Sequence, residues 1–257
     1  MAMMVRPKKA LGQHFLWDKN IARKIVEHFR DAPTANVLEV GPGTGIITGY
    51  LKEYFGNHLY AVEVDKEWVN YLLGVYPGLG SHLIHKDFLK LNLEDYFTQP
   101  ISLIGNFPYN ISSQIFFKVL ENRNKVPFLI GMVQKEVAER IASLPGSKNY
   151  GKLSVLLQAY YEIKILFPVG PHSFNPPPKV KSSVIRLKRY DSWKLYCDED
   201  LFFRVVKQSF NQRRKVISNS LKSFLLNLNI EDERLRKRPE QLNVKDFVEL
   251  TRKLSQG

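Results

Sequence analysis

At 257 residues, 44% apolar and 25% charged, the chain has the ordinary balance of a globular protein, long enough for one large domain and a small appendage. A single cysteine, Cys197, excludes an internal disulfide and a cysteine-based zinc site, and no run approaches the roughly 18 apolar residues of a membrane span. The formal charge of +13 favours a polyanion, most often nucleic acid and less often an anionic membrane.

The basic start, Met1 to Lys9, lacks the apolar core of a signal peptide, so a soluble, cytoplasmic protein is expected. Lys8 to Leu16 has no clear period. By its residues alone this arm reads more readily as a loose terminus than as a flap folded over a binding mouth. A helix then begins near Asp18, which can cap it, with Ile21, Ile25, Val26 and Phe29 on its apolar face.

Asn36 to Val40 reads as a strand running into Gly41-Pro42-Gly43-Thr44-Gly45 and a helix from about Ile46 to Phe55. Glycines there allow a tight turn and let backbone N–H groups approach a ligand at a helix start. The spacing is G-x-G-x-G, which disfavours a dinucleotide oxidoreductase with its G-x-G-x-x-G fingerprint. A second strand, Leu59 to Val64, carries Glu63, placed where an open α/β sheet puts an acid on ribose hydroxyls. A third, His82 to His85, delivers Asp87 to the same edge, as an acceptor for an adenine amine or as a plain turn residue.

Pro100 to Ile104 is a buried strand leading into Gly105-Asn106-Phe107-Pro108-Tyr109-Asn110-Ile111, and Ser112 to Leu120 is a helix. The Asn106 oxygen and the carbonyl before a proline accept hydrogen bonds, and Tyr109 offers a flat face. Such a turn suits a planar ring bearing an NH2 group, or is a plain strand-to-helix turn that uses the common turn formers Asn and Pro. Four successive strand ends furnished with glycine or polar residues point to a nucleoside ligand. Pro127 to Val133 is a fifth strand, Gln134 to Ile141 a helix, and Ser143 to Lys152 a loop expected to be mobile. Leu153 to Tyr161 reads as helix and Glu162 to Val169 as strand. Gly170 to Lys181 is a stiff proline-rich loop whose Phe174 is either a stacking ring or a core plug, and Ser182 to Leu187 is a last strand.

From Asp191 the pattern turns helical and basic. Leu187 to Gly257 holds 16 Lys and Arg against 10 Asp and Glu. Phe202, Val205, Val206 and Phe210 form one stripe; Val216, Leu221, Phe224 and Leu225 form another. Between them lies Asn211-Gln212-Arg213-Arg214-Lys215, and a second basic run is Arg234, Arg236, Lys237 and Arg238. Phosphate contact is the expected use of both runs.

Six stretches carry a resemblance. Glu39 to Gly45 looks like the glycine motif of S-adenosylmethionine-dependent methyltransferases, and Asn106-Phe107-Pro108-Tyr109 like the Asn-x-Pro-Tyr motif of adenine amino-methyltransferases. With Leu11 to Leu16, Lys135 to Arg140, Pro176 to Val180 and Phe210 to Lys215, the chain resembles the ribosomal RNA adenine dimethyltransferase family, in its small-subunit branch, from about Lys8 to the C-terminus.

The resemblance implies an α/β fold: a Rossmann-like class I methyltransferase sheet (18–190) behind an arm (1–17), with a small all-α basic RNA-binding domain (191–257). It implies S-adenosylmethionine as cofactor and no metal. The substrate would be 16S ribosomal RNA within the small subunit, dimethylated at N6 of two adjacent adenines near its 3′ end. The backbone at His14, Leu16 and Gly41 would line the methionine end of the cofactor, with Glu63 on the ribose hydroxyls, Asp87 on the adenine amine and Asn106 between cofactor and target. Asn106 and the Pro108 carbonyl would accept from the target amine, Tyr109 and Phe174 would pack on the base, and Arg213, Arg214 and Lys215 would bind RNA. His14 departs from the family's usual Asn, and Phe107 from a usual aliphatic. Two other readings stand beside this one: a large-subunit methyltransferase of the macrolide-resistance type, and a non-catalytic nucleic-acid-binding factor. A monomer is expected.

Overall fold

A computed structural model describes residues 12–192, 194–226 and 230–255. They pack as two compact units, one of residues up to 138 together with 164–189, the other of residues 139–163 and 190 onward. Residues 1–11 of the expected arm, including Lys8 to Leu11, lie outside the described residues.

The first unit opens with a two-residue strand, β1 (Phe15–Leu16), and helix α1 (Lys19–Phe29). Asp18 caps α1 as expected, its side chain accepting from the amides of Asn20 and Ile21. One face of α1, with Ala22, Ile25, Val26 and Phe29, is buried. Truncating Phe29, which is fully buried, to alanine would cost about 3–5 kcal/mol. β2 (Asn36–Val40), α2 (Ile46–Phe55) and β3 (Leu59–Glu63) follow where the pattern places them. Then come α3 (Lys66–Val75), β4 (Leu83–His85), β5 (Ile101–Asn106), α4 (Ser112–Glu121), β6 (Phe128–Gln134) and α5 (Lys135–Ala142), which runs on into the second unit. β7 (Tyr161–Val169), β8 (Phe174–Asn175) and β9 (Ser182–Arg189) complete it.

Seven strands form one sheet in the order β4-β3-β2-β5-β6-β9-β7. β2 is parallel to both β3 and β5, β3 to β4, and β5 to β6, whereas β9 is antiparallel to β6. The near-continuous apolar strands β2, β5 and β6 are buried along almost their whole length, as parallel strands covered on both faces must be. The chain leaves β2 to one side, toward β3 and β4, and returns on the other side at β5. That reversal of strand order opens a crevice beyond the carboxyl ends of β2 and β5, the place where open α/β sheets bind ligands.

In the second unit α6 (Lys152–Gln158), α7 (Glu199–Asn211), α8 (Ile217–Ser220) and α9 (Val244–Ser255) surround a core that includes Phe202, Val205, Val206, Phe247 and Leu250. α6 ends at Gln158, earlier than its expected end near Tyr161, where β7 begins. The stripe from Val216 to Leu225 yields only the four residues of α8 and a 3-10 turn at Lys222–Phe224. Ser218, Asn219 and Ser220 are weak helix formers, and the Ser220 hydroxyl donates back to the Ile217 carbonyl at 3.1 Å.

Arg234 also departs from its expected use. It binds Asp232 (Nε to Oδ1, 2.8 Å) and Glu249, while Lys253 lies 2.9 Å from the other Asp232 oxygen. Burial opposes ionisation of Asp232, but the hydrogen bonds from Arg234 and Lys253 outweigh it and hold the carboxyl well below the usual carboxylate range. Among the described residues no helix is long and apolar enough to cross a membrane, and no group of three or more His, Cys, Asp or Glu could hold a metal ion.

Candidate active site

The crevice is a cavity of about 180 Å³ lined from five directions: the arm at Gly12 to Phe15, the turn after β2, the end of β3, the segment around Asp87, and the Asn106 turn after β5. The turn after β2 is built by glycines in the left-handed region, Gly41 at φ 69° and Gly43 at φ 53°. A Cβ on Gly41 would meet nothing within 4 Å, so its absence leaves open space beside the backbone. A Cβ on Gly43 would sit 2.6 Å from the ring of Phe15, so the arm closes down on this turn only because residue 43 is glycine.

Glu63 ends β3 and is 5% exposed. Its Oε1 accepts from the amides of Val64 (2.9 Å) and Asp65 (3.0 Å), and its Oε2 from Gly43 at 3.3 Å. Burial raises its pKa above the ordinary carboxylate value, and these three amides offset the rise only in part. The carboxylate therefore ties the β3 end to the glycine turn, and Oε2, with one long bond, keeps capacity for a hydroxyl donor. Asp87 lines the same cavity. Its Oδ1 accepts from the Leu89 amide at 2.9 Å, the plain turn role, and this bond leaves Oδ2 uninvolved.

Asn106 is oriented by a contact no local pattern reveals. Its Nδ2 donates to the main-chain carbonyl of His14 at 2.7 Å. A carbonyl can only accept, so the nitrogen of the amide faces the arm and Oδ1 is left as the acceptor on the other branch. The Pro108 carbonyl already accepts from the Ile111 amide at 3.2 Å and retains its second lone pair. Tyr109 is pinned through its hydroxyl to Ser182 Oγ at 2.5 Å, and burial raises its pKa. Phe107 is 1% exposed and fills the space left by two glycines: a Cβ on Gly131 would come 2.4 Å from its ring, and one on Gly105 3.0 Å. A phenylalanine in place of an aliphatic residue is accommodated there by the bare backbone of β5 and β6.

The Leu16 side chain is 2% exposed and belongs to the core, because along β1 the side chains alternate and Phe15 takes the cavity side, which leaves the expected backbone role of Leu16 untouched. Phe174 is also 2% exposed, pairs with Leu16 across β1 and β8, and is not among the residues lining the cavity. The arm, in its described part, folds back over the mouth. His14 joins it to the proline-rich loop, its Nδ1–H donating to the Pro176 carbonyl at 2.8 Å, and its ring lies 5.2 Å from that of Tyr109. In the second unit Arg213 donates to the carbonyls of Ser147 (3.3 Å) and Lys148 (2.8 Å), tying down the loop expected to be mobile. The Gly146 amide adds a bond to the Glu240 carbonyl at 2.7 Å. Arg214 and Lys215 are exposed.

Glu39, within the glycine motif but given no role from sequence, is the buried acid of this region. It is 1% exposed, accepts from the Thr48 hydroxyl at 2.6 Å, and is pushed up to about 8 by burial, with the neighbouring Glu63 charge adding to the effect. Its signal was a glutamate inside an otherwise apolar strand.

The donor set fits S-adenosylmethionine. Gly41 leaves room at the turn, Glu63 and Asp87 offer carboxylate oxygens to hydroxyl and amine donors, and Asn106 lines the same cavity. Bound there, S-adenosylmethionine supplies a methyl group on a sulfonium, already activated for displacement.

Comparison with known proteins agrees. Residues 4–254 match the family model described as ribosomal RNA adenine dimethylase. A protein of Bacteroides thetaiotaomicron named ribosomal RNA small subunit methyltransferase A is 53% identical over 99% of this chain and 96% of its own. A namesake from Cytophaga hutchinsonii is 50% identical over 98% of each chain. Among solved structures, a dimethyladenosine transferase from Plasmodium falciparum superposes with a TM-score of 0.76 over 94% of this chain and 96% of that one, at 24% identity. The 23S rRNA methyltransferase ErmE shares the fold with a TM-score of 0.66, at 24% identity over 92% of this chain and 99% of its own. The chain belongs to the ribosomal RNA adenine dimethylase family and is an S-adenosylmethionine-dependent rRNA adenine methyltransferase with a class I methyltransferase fold.

Proposed function

We propose that this enzyme dimethylates N6 of two adjacent adenines near the 3′ end of 16S ribosomal RNA within the small subunit, acting as a cytoplasmic monomer with a role in subunit biogenesis. The names and high identity of the relatives, which span the whole chain, support the small-subunit substrate. The observation that carries the catalytic reading is the bond from Asn106 Nδ2 to the His14 carbonyl, which commits Oδ1 to accepting.

An adenine amine is a poor nucleophile because its lone pair is delocalised into the ring. Acceptance of its two hydrogens by Asn106 Oδ1 and the Pro108 carbonyl favours a pyramidal nitrogen with its lone pair directed away from them. Tyr109 holds the base by its face, a contact worth roughly 1–3 kcal/mol per stacked base, and its π cloud favours the positive charge that develops on the amine. Orientation of this kind supplies several kcal/mol of barrier reduction. Asn106 also borders the cofactor site, while Gly41, Glu63, Asp87 and the arm around His14 hold the cofactor itself. Arg214 and Lys215 contact phosphates, and Arg213 shapes the neighbouring loop.

The test is Asn106→Ala, assayed for methyl incorporation into undermethylated small subunits and, separately, for cofactor affinity by calorimetry. The expected outcome is loss of most turnover with cofactor binding retained. Unchanged incorporation would remove Asn106 from the chemistry. Primer extension on both subunit RNAs decides between small- and large-subunit substrates.

A further inference from the structure

Trp17 follows strand β1 directly, two residues after the cavity-lining Phe15, and is not itself among the residues lining the cavity. It is 64% exposed, an unusual state for an indole, which buries 150–250 Å² when it is packed away. The exposure is not looseness. Its main-chain N–H donates to the Ser173 carbonyl at 3.0 Å, and its indole Nε1–H donates to the His172 carbonyl at 2.8 Å. Strand β1 precedes it and the α1 cap follows it, with the Ser173 hydroxyl bonded to Asp18 at 3.2 Å. The polar edge of the ring is thus satisfied by protein. Covering the remaining surface with another flat ring would strand no donor, and little conformational entropy would be lost in doing so.

We propose that Trp17 is a stacking platform for an unpaired nucleobase next to the target adenine. Drawing the target out of its stack leaves the neighbouring base with one bare face. Trp17 follows by three residues the His14 carbonyl that orients Asn106, so the Trp17 Cα lies within about 11 Å of the His14 Cα. Immediately beyond it, Lys19 and Arg23 are exposed one helical turn apart on α1, placed to meet the phosphates flanking such a base.

This subsite rests on the proposed RNA substrate, and its test separates the two. Wild type, Trp17→Ala and Trp17→Phe are compared for affinity to a protein-free small-subunit rRNA fragment spanning the modified adenines. The same comparison is made with fragments carrying an abasic nucleotide on either side of those adenines. Cofactor affinity, measured by calorimetry, is expected to be the same for all three proteins. Trp17→Ala should weaken binding of the intact fragment about 5- to 150-fold, the range of one lost base stack. Trp17→Phe should keep most of the affinity, and one abasic fragment should cost wild type what it does not cost Trp17→Ala. Equal binding by wild type and Trp17→Ala overturns the proposal. So does a defect seen on whole subunits but absent on protein-free RNA, which would assign Trp17 to a ribosomal protein. If wild type methylates neither the fragment nor whole subunits, the substrate reading itself fails.

Discussion

Replacing Glu39 with glutamine should stabilise the protein, and by an amount that grows with pH. The fully buried carboxyl has an ordinary value of 4.5 and is pushed up to about 8 in the fold, chiefly by burial. Between these pH values the unfolded chain releases this proton and the folded chain keeps it. The folded state then binds more protons, so stability falls as pH rises; below 4.5 both states are protonated and nothing is lost. At about 1.4 kcal/mol per pH unit the loss is roughly 3 kcal/mol at pH 7 and approaches 4–5 kcal/mol above pH 8. Glutamine has the shape of the protonated acid, one acceptor for the Thr48 hydroxyl and one donor group, and no charge to desolvate. Urea unfolding at pH 5, 6, 7 and 8 is the assay. Glu39→Gln and wild type should nearly coincide at pH 5 and diverge steadily above it. Parallel stability curves, or a variant less stable at pH 8, would refute the reasoning.

Other substitutions probe the site and the basic unit. Glu63→Gln keeps an acceptor for the Val64 and Asp65 amides but removes the charge, and should weaken cofactor binding about 10- to 100-fold by calorimetry, the worth of one hydrogen bond to a charged group. Asp and Ala are poorer choices there, because a shortened or missing side chain leaves those amides without a partner. Arg214→Glu with Lys215→Glu should weaken RNA binding and flatten its dependence on log salt by about 0.7–0.9 for each phosphate no longer neutralised, with cofactor affinity intact. Arg213→Ala should instead loosen the loop whose Ser147 and Lys148 carbonyls it holds, seen as faster hydrogen exchange there.

The sheet was legible because its strands are short apolar runs punctuated by glycine, proline and acids. β2 and α2 fall at their expected bounds, where Val37 to Val40 and the glycines leave little choice. α3 was not legible, since Trp68, Val69 and Tyr71 are residues strands favour and only the Asp65 cap, accepting from Glu67, marks the helix. Within the site, residues at strand ends were legible because the topology brings those ends together. What escaped depends on partners far along the chain. The His14 carbonyl meets Asn106 across 92 residues and the His14 ring meets Pro176 across 162. The burial of Phe174 depends on its pairing with Leu16, which no local pattern announces. Arg213 and Arg234 read as free cations by spacing, yet each is held by carbonyls or carboxylates of its own unit.

The measurement that bears most directly on the account is mass spectrometry of ribosomal RNA from cells with and without this protein. Loss of the protein should remove N6,N6-dimethyladenosine from two neighbouring positions near the 3′ end of the small-subunit RNA and leave large-subunit RNA unchanged. Small-subunit RNA that keeps both dimethylated adenines, or a loss confined to the large subunit, would contradict it.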